Sequence, residues 1–502
     1  MDTHNIMEFL DPEQKRRRTI KLFIMYFLTI FAITLGTFAM ILLVQGYNFR
    51  KKQGVVQNGL VFVDSKPVSG IVWLNGQKKD KTNARLVLPA DVYSMKITSD
   101  GYRDWTKSFI LDGGSVRYFT YPKLIPNTIQ TSIIQNMNLP PIWSSQSPDR
   151  RWLIYQQNIN TNDFAVFDTS KPTTAPLVSK FAPDIYSESA RTLSEIKPIE
   201  WSDDNKHLLI LQTFTDGTMN YAVVDRDKPD SSVNITKKLS LNKDQSVKLK
   251  DKKWDKYFVL DKSTQILTSR DLNSPENISN IATKVVFYKS YGSDKFMYIS
   301  YDGASENMAR VIVLDGANSY NLKPVARDLS LNYQLDIAKF DGAWMYASSS
   351  SADHKVYIYK NPLNSLSPNN TLPPQTLYDI RLDKPQYISF SDNARFLSMQ
   401  SASNFVVYDG ELKQNYRYTL PNKLGVDQKA SWVDGHRMSF VESGQSKIFE
   451  FDGKNIQTLT ASLPNNNFNP YFDRDYNYVF TFLPLDSGKS ALQSGSLIAN
   501  KK

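Results

Sequence analysis

One pattern returns throughout the chain from Asn127 to Lys502: an aromatic residue, a polar turn carrying Asp or Gly, then a short apolar strand. It reads "IWSSQSPDRRWLIY", "IEWSDDNKHLLIL", "KKWDKYFVL", "VVFYKSYGSDKFMYI", "AKFDGAWMYA", "ISFSDNARFLSM", "ASWVDGHRMSF" and "PYFDRDYNYVFTF". The aromatics are Trp143, Trp201, Trp254, Phe287, Phe340, Phe390, Trp432 and Phe472, spaced by 58, 53, 33, 53, 50, 42 and 40 residues. A second unit follows in most repeats, an apolar strand closing on Asp: "FAVFD", "YAVVD", "VIVLD", "VVYDG" and "IFEFDG". "VYIYKN" places Lys360 there instead, and the third repeat has only "ILTSRD". A unit of this length holds about four short strands that cannot bury both faces alone, so neighbouring units must stack.

That requirement predicts a β-propeller over 127–502 with eight blades, or seven if the degenerate third repeat forms none. The last repeat is short of a strand, and "TIQTSIIQN" (Thr128–Asn136) is placed to supply it and close the ring. The tetrapeptide "SPDR" (Ser147–Arg150) resembles the S-P-D-G turn of propellers of the TolB and WD40-like group, which implies a fold and no chemistry. Asp149, Asp204, Asp392 and Asp434 fall in the turns, where a carboxylate accepts backbone N–H bonds, and are read as turn formers.

Leu22 to Val44, "LFIMYFLTIFAITLGTFAMILLV", contains no charged residue. At 1.5 Å per residue it spans about 34 Å, enough to cross a bilayer. A signal peptide has a shorter apolar core and ends at a small-x-small site; this run is longer, and "QGYNFRKK" follows it without such a site. The expectation is an uncleaved signal anchor embedded in the lipid bilayer through residues 22–44. Lys15, Arg16, Arg17, Arg18 and Lys21 precede the run and Arg50, Lys51 and Lys52 follow it. That bias places residues 1–21, a short basic tail, in the cytoplasm and the bulk of the chain outside. Residues 45–57 read as a linker.

The segment from Asn58 to Pro126 alternates apolar and polar residues between turn signals. Leu60 and Phe62, Ile71 and Trp73, Leu86 and Leu88, Tyr93, Met95 and Ile97, and Phe109 and Leu111 are the expected inward-facing sets. Pro67, Asn75-Gly76, Pro89 and Asp100-Gly101 punctuate the strands. The result is a small β-sandwich. Its order of parts resembles the PEGA domain family: Ser65, Pro67, Gly70, Val72, Leu74 and Gly76 match one stretch of that pattern, Thr82 the next, Leu88, Pro89 and Tyr93 a third, and Gly101-Tyr102 the last. Ile71, Asn75, Asn83 and Asp91 stand where the pattern has Ala, Asp, Pro and Gly. The resemblance implies an extracytoplasmic β-module, often beside a membrane anchor, that acts in surface or wall contacts without catalysis.

Chemistry is sparse. There is no Cys, which excludes disulfides, thiolate metal sites and Cys nucleophiles. His4, His207, His354 and His436 are the only histidines, and none pairs at metal-ligand spacing. "DSGKS" (Asp486–Ser490) ends like a phosphate-binding loop, but Leu483 stands where the first Gly is needed. "DRDYN" (Asp473–Asn477) starts like a Ca²⁺ loop but has Tyr478 and Pro484 at the positions of its Gly and Glu. The net charge of +10 is dispersed among acidic residues, which offers no stripe to track phosphates, so nucleic acid is not an expected partner.

No catalytic, cofactor-binding or metal-ligating residue is assigned, and no cofactor. The sequence thus predicts a mainly β protein with one N-terminal transmembrane helix, a PEGA-like sandwich (58–126) and a propeller. Its expected role is binding or scaffolding in the cell envelope, with a cell-wall polymer, a surface-layer protein or another envelope protein as partner. The alternative is an extracytoplasmic hydrolase or lactonase with its active site in the propeller channel. A binding module should expose an apolar or aromatic patch on one propeller face. An enzyme should gather several carboxylates in the channel.

Overall fold

The computed structural model describes residues 12–50, 54–159, 161–182, 185, 192–292, 295–421, 423–425, 427–464 and 468–499. His4 and the first eleven residues lie outside them. The chain divides into two compact units, residues 1–124 and 125–502.

The first unit opens with helix α1, Pro12–Val44. It starts ten residues before the apolar run, so the basic residues Arg16–Lys21 share its axis. Arg16–Val44 is long and apolar enough to cross a membrane, and nearly all its side chains are exposed. Thr29 and Thr34 donate their hydroxyls to the carbonyls of Met25 and Ile30, each at 2.8 Å, so neither carries an unmet polar group into an apolar surface.

The stretch read as a linker is itself paired: Tyr47–Arg50 runs antiparallel to the start of Gly54–Val63. Gly54–Val63 then pairs antiparallel with Ala84–Pro89 and parallel with Val116–Phe119, completing a four-stranded sheet. The second sheet runs in the order Gln77–Lys81, Ile71–Leu74, Asp91–Thr98, Trp105–Leu111. The inward phase of two strands is opposite to the sequence expectation. Val61 and Val63, not Leu60 and Phe62, and Val72 and Leu74, not Ile71 and Trp73, are buried. Both strands are apolar at consecutive positions, so hydrophobicity does not select the phase. Packing does: Phe62 stacks on Tyr118 across the outer face at 5.1 Å, and the Trp73 indole donates to the Thr98 hydroxyl at 3.1 Å. Tyr93, Met95, Ile97 and Leu111 face inward as expected.

The residues that carry the family-like pattern form one polar knot. The Ser65 hydroxyl bonds the Pro67 carbonyl at 2.7 Å and meets the Thr82 hydroxyl at 2.8 Å; the Gly70 N–H donates to the Thr82 hydroxyl at 3.0 Å. A Cβ on Gly70 would lie 2.8 Å from Ile97 Cγ2, so the backbone approaches the core too closely for any side chain. Asn75 and Gly76 both have positive φ, 49° and 77°, as a two-residue hairpin turn requires.

The second unit is an eight-bladed propeller, each blade a four-stranded antiparallel sheet. In chain order the blades span 143–180, 193–234, 245–282, 285–326, 333–381, 387–419, 431–461 and 471–496. Blade 8 has only three strands of its own; Gln130–Met137 adds the fourth by pairing with Ser490–Ser496. The ring closes through the same joint, where Tyr155 and Phe167 of blade 1 pack edge-on against Phe482 and Phe480 of blade 8 at 5.2 and 5.1 Å. Shared apolar clusters join successive blades in the same way, such as Ile210 and Trp201 of blade 2 with Ile154 and Phe164 of blade 1.

The third repeat does form a blade, and its aromatic is displaced. Trp254 lies on the second strand, Lys253–Asp261; the first strand is Gln245–Lys250. "QSVKLK" has no aromatic to mark it, and this accounts for the short spacing of 33 after Trp254. Trp143 and Phe287 sit towards the far end of their first strands, opposite Gln156 and Ile299, whereas Trp201, Phe340, Phe390, Trp432 and Phe472 sit beside the turn.

Candidate ligand site in the propeller channel

The first strand of every blade pairs on one side only, with its second strand. Its other edge borders the ring axis and presents backbone groups that need partners. Side chains from neighbouring blades supply several of them. Asp336 of blade 5 accepts the Phe390 N–H of blade 6 at 2.8 Å. Glu200 of blade 2 accepts the Leu249 N–H of blade 3. Gln146 of blade 1 donates to the Phe472 carbonyl of blade 8 at 2.8 Å, and the Trp432 indole of blade 7 donates to the Ser389 carbonyl of blade 6 at 3.1 Å.

Between blades 1, 7 and 8 the wall encloses a polar cavity of 280 Å³, lined in part by Ser144, Ser145, Ser431, Asn469 and Tyr471. Arg150 stands over it. This residue occupies the turn between the first two strands of blade 1 with φ 63°. Its guanidinium pairs with Asp392 of blade 6 at 2.5 Å, donates to the Val433 carbonyl of blade 7 and lies 4.6 Å from the Tyr476 ring of blade 8. One side chain therefore ties four blades at this end of the channel.

Further round the channel the lining is charged. Lys248 of blade 3 lies over the Tyr288 ring of blade 4 at 4.8 Å. Lys289 of blade 4 pairs with Asp336 at 3.0 Å. Lys429, just before blade 7, lies 6.0 Å from the Tyr387 ring. The Lys429 side chain is exposed. Burial holds Lys248 below the usual lysine range, against the pull of Glu200 and with a smaller push from Lys289. Burial also raises Glu200. The Tyr288 hydroxyl is buried without a hydrogen-bond partner among the described residues.

The turn aspartates divide. Asp149, Asp204 and Asp434 accept backbone N–H groups of their own turns, such as Lys206 to Asp204 at 2.8 Å and His436 to Asp434 at 2.7 Å. Asp392 does not have the turn role expected of it. Its neighbour Asn393 accepts the Arg395 N–H at 3.2 Å, which frees the Asp392 carboxylate for Arg150.

The histidines are not brought together. His207 lies between Asp204 at 2.6 Å and Asp225 at 3.5 Å and stacks on Trp254. His354 pairs with Asp383 at 2.6 Å on a turn of blade 5, and His436 packs edge-on against Phe396. "DRDYN" is the first turn of blade 8, where Asp473 accepts the Tyr478 N–H at 2.6 Å. "DSGKS" links the next two strands of that blade. Among the described residues, the exposed apolar side chains Leu177, Ile278, Leu329 and Leu372 fall in blade 1, blade 3, the connection between blades 4 and 5, and blade 5.

The channel lysines were not marked by the repeat. The available signal is a lysine inside an apolar first strand, as in "VVFYKSY"; the first strand of blade 3, "QSVKLK", has no aromatic to mark it.

The family model described as the PEGA domain matches residues 58–122. No curated protein sequence matches the chain. Among solved structures the chain is similar to a eukaryotic initiation factor, with 13% identity over 67% of this chain and 93% of the other, at a TM-score of 0.38. It is also similar to an oligogalacturonate lyase in complex with manganese (11% identity, 73% and 98% covered, TM-score 0.38). A third is the uncharacterized protein lmo1340 from Listeria monocytogenes EGD-e (11% identity, 68% and 93% covered, TM-score 0.39). Likenesses of this size say nothing of chemistry.

Proposed function

We propose that this is a membrane-anchored, extracytoplasmic binding or scaffolding protein of the cell envelope. Helix α1 is the uncleaved anchor, with its N-terminus in the cytoplasm, because its apolar surface is exposed along its length and the denser basic cluster precedes it. The PEGA-like sandwich follows the anchor in the chain as a spacer, and the propeller carries recognition. A wall polymer, a surface-layer protein or an envelope protein is the partner; nucleic acid is not.

The exposed apolar side chains of the described propeller residues are scattered over several blades and not gathered on one face, so what favours binding over catalysis is the state of the two carboxylates in the charged channel lining. Glu200 and Asp336 each accept a main-chain N–H of the next blade, so both hold the ring together rather than stand free for acid–base work. Crosslinking in intact cells, followed by identification of what is captured, tests the reading: a recurrent envelope partner or polymer supports it, and capture of none overturns it. Protease treatment of intact cells tests the orientation, since a protected propeller would reverse it.

A further inference from the structure

We propose that the charged wall of the propeller channel, Lys248, Lys289 and Lys429, is a binding site for phosphate groups. The inference rests on the binding reading above and gives it a ligand class.

Three ammonium groups face two carboxylates along this wall, and the carboxylates are already engaged. Glu200 is held by the Leu249 N–H; Asp336 takes both the Phe390 N–H and Lys289. No carboxylate lies within ion-pair distance of Lys248 or Lys429 among the described residues. A surface lysine without a partner costs nothing, because water solvates it. Lys248 is half-buried, so part of that water is lost to it, while Lys289 and Lys429 stay open to solvent and so to a ligand. An anion entering the channel meets two ammonium groups, Lys248 and Lys429, that no carboxylate has paired.

The wall also carries an unmet polar group of a second kind. Tyr288 is 4% exposed, its buried hydroxyl has no hydrogen-bond partner among the described residues, and its ring lies beneath Lys248. A folded chain rarely leaves such a group unpaired.

The donor type selects the ligand. Carboxylates are recognised best by the planar fork of Arg; lysines act as point charges suited to the several oxygens of a phosphate. Arg150 is already occupied by Asp392 and the Val433 carbonyl. The phosphate can belong to a small phosphomonoester or diphosphate, or to a phosphodiester-linked polymer passing into the channel.

The test uses the full chain in detergent micelles, titrated calorimetrically with inorganic pyrophosphate and, separately, with a glycerol-phosphate oligomer at matched ionic strength. Binding of pyrophosphate alone identifies a small-ligand site; tighter binding of the oligomer identifies a polymer site. Lys248→Gln and Lys429→Gln should each weaken binding by about tenfold or more, as loss of one charged hydrogen bond does. Lys429→Arg should largely retain it, and Lys252→Gln, on an exposed turn, should change it less than about twofold.

Reductive ¹³C-dimethylation of the unmutated protein gives a second readout that does not depend on a variant folding. The Lys248 and Lys429 signals should shift on adding pyrophosphate while those of exposed lysines stay. Absence of binding by both ligands, or binding that ignores Lys248→Gln and Lys429→Gln, overturns the proposal. Partner capture in cells would survive that result, so failure of the phosphate site and failure of the binding reading are separable.

Discussion

The outer corners of the blades and the channel at their centre are built from the same residue types and use them differently. At the corners an Asp ends the third strand and answers to its own blade. Asp409 is fully buried; Arg395, one residue before the second strand, grips it with bonds of 3.0 and 2.7 Å, and it accepts the N–H groups of Glu411 and Leu412. Asp168 with Arg151, and Asp225 with His207, repeat the device. Even "ILTSRD" keeps it: Asp271 accepts the Asn273 N–H at 2.8 Å and faces Lys256. In the channel, by contrast, Glu200, Asp336 and Asp392 reach into other blades. A within-blade contact recurs because the blade recurs. The between-blade contacts at the axis use different residues from blade to blade: a Glu in blade 2, an Asp in blade 5 and an Arg–Asp pair between blades 1 and 6.

The sharpest way to break this comparison is to remove one carboxylate of each kind. Asp409→Ala leaves Arg395 beside a buried hole and strips two turn N–H groups of their acceptor. Such a loss is expected to cost about 3–5 kcal/mol, read as a lowered midpoint in chemical denaturation. If Asp409→Ala costs no more than Asp392→Ala, the corners do not carry the stability assigned to them here.

That division also explains how much was legible beforehand. The corner Asp residues and their strands were visible because they repeat, and the closing strand was visible because blade 8 lacked one. The sandwich turns were visible because Gly70 and Asn75-Gly76 are dictated by local geometry. What was hidden depends on the ring being closed. Nothing in "SDNAR" says that Asp392 meets Arg150, 242 residues earlier in the chain. Nothing local says that Lys289 and Lys429 share a wall. The phase of Gly54–Val63 was hidden for a simpler reason, since its apolar residues are consecutive and only the packed partner sheet chooses between them.

A smaller effect follows from His436, which lies between a corner and its neighbour blade. Burial, with help from Arg395 and Arg437 and against Asp434, lowers it from 6.5 to about 4. A base lowered in the folded state binds its proton sooner in the unfolded chain. Its contribution is therefore present above pH 6.5 and is lost as pH falls towards 4. Stability should drop over that window by about 2–3 kcal/mol, and His436→Phe, which keeps an aromatic against Phe396, should flatten the slope. An unchanged pH profile in the variant would show that the histidine is not the group titrating.

The sandwich offers a third, intermediate case, because its polar knot is local yet buried. Thr82→Val keeps the shape and removes the hydroxyl that both Ser65 and Gly70 use. The expected loss is about 1–3 kcal/mol, with the propeller's own transition unmoved. A shift in both transitions would mean that the two units do not unfold separately.

The smallest effect is expected where the geometry is most conspicuous. The Arg150–Asp392 pair spans the channel, but the Asp392 side chain is 53% exposed, so water and salt screen it. Asp392→Ala should cost below about 1 kcal/mol, and the difference should shrink further in high salt. Arg150→Ala should cost more than its partner's loss, because the same guanidinium also bonds the Val433 carbonyl and covers Tyr476. The inequality between the two variants is the informative quantity, since an isolated ion pair would lose equally from either side. Equal and small losses would reduce Arg150 to a surface pair; a larger loss for Arg150 shows that what crosses the channel is a bond to backbone and ring, with the carboxylate an accessory to it.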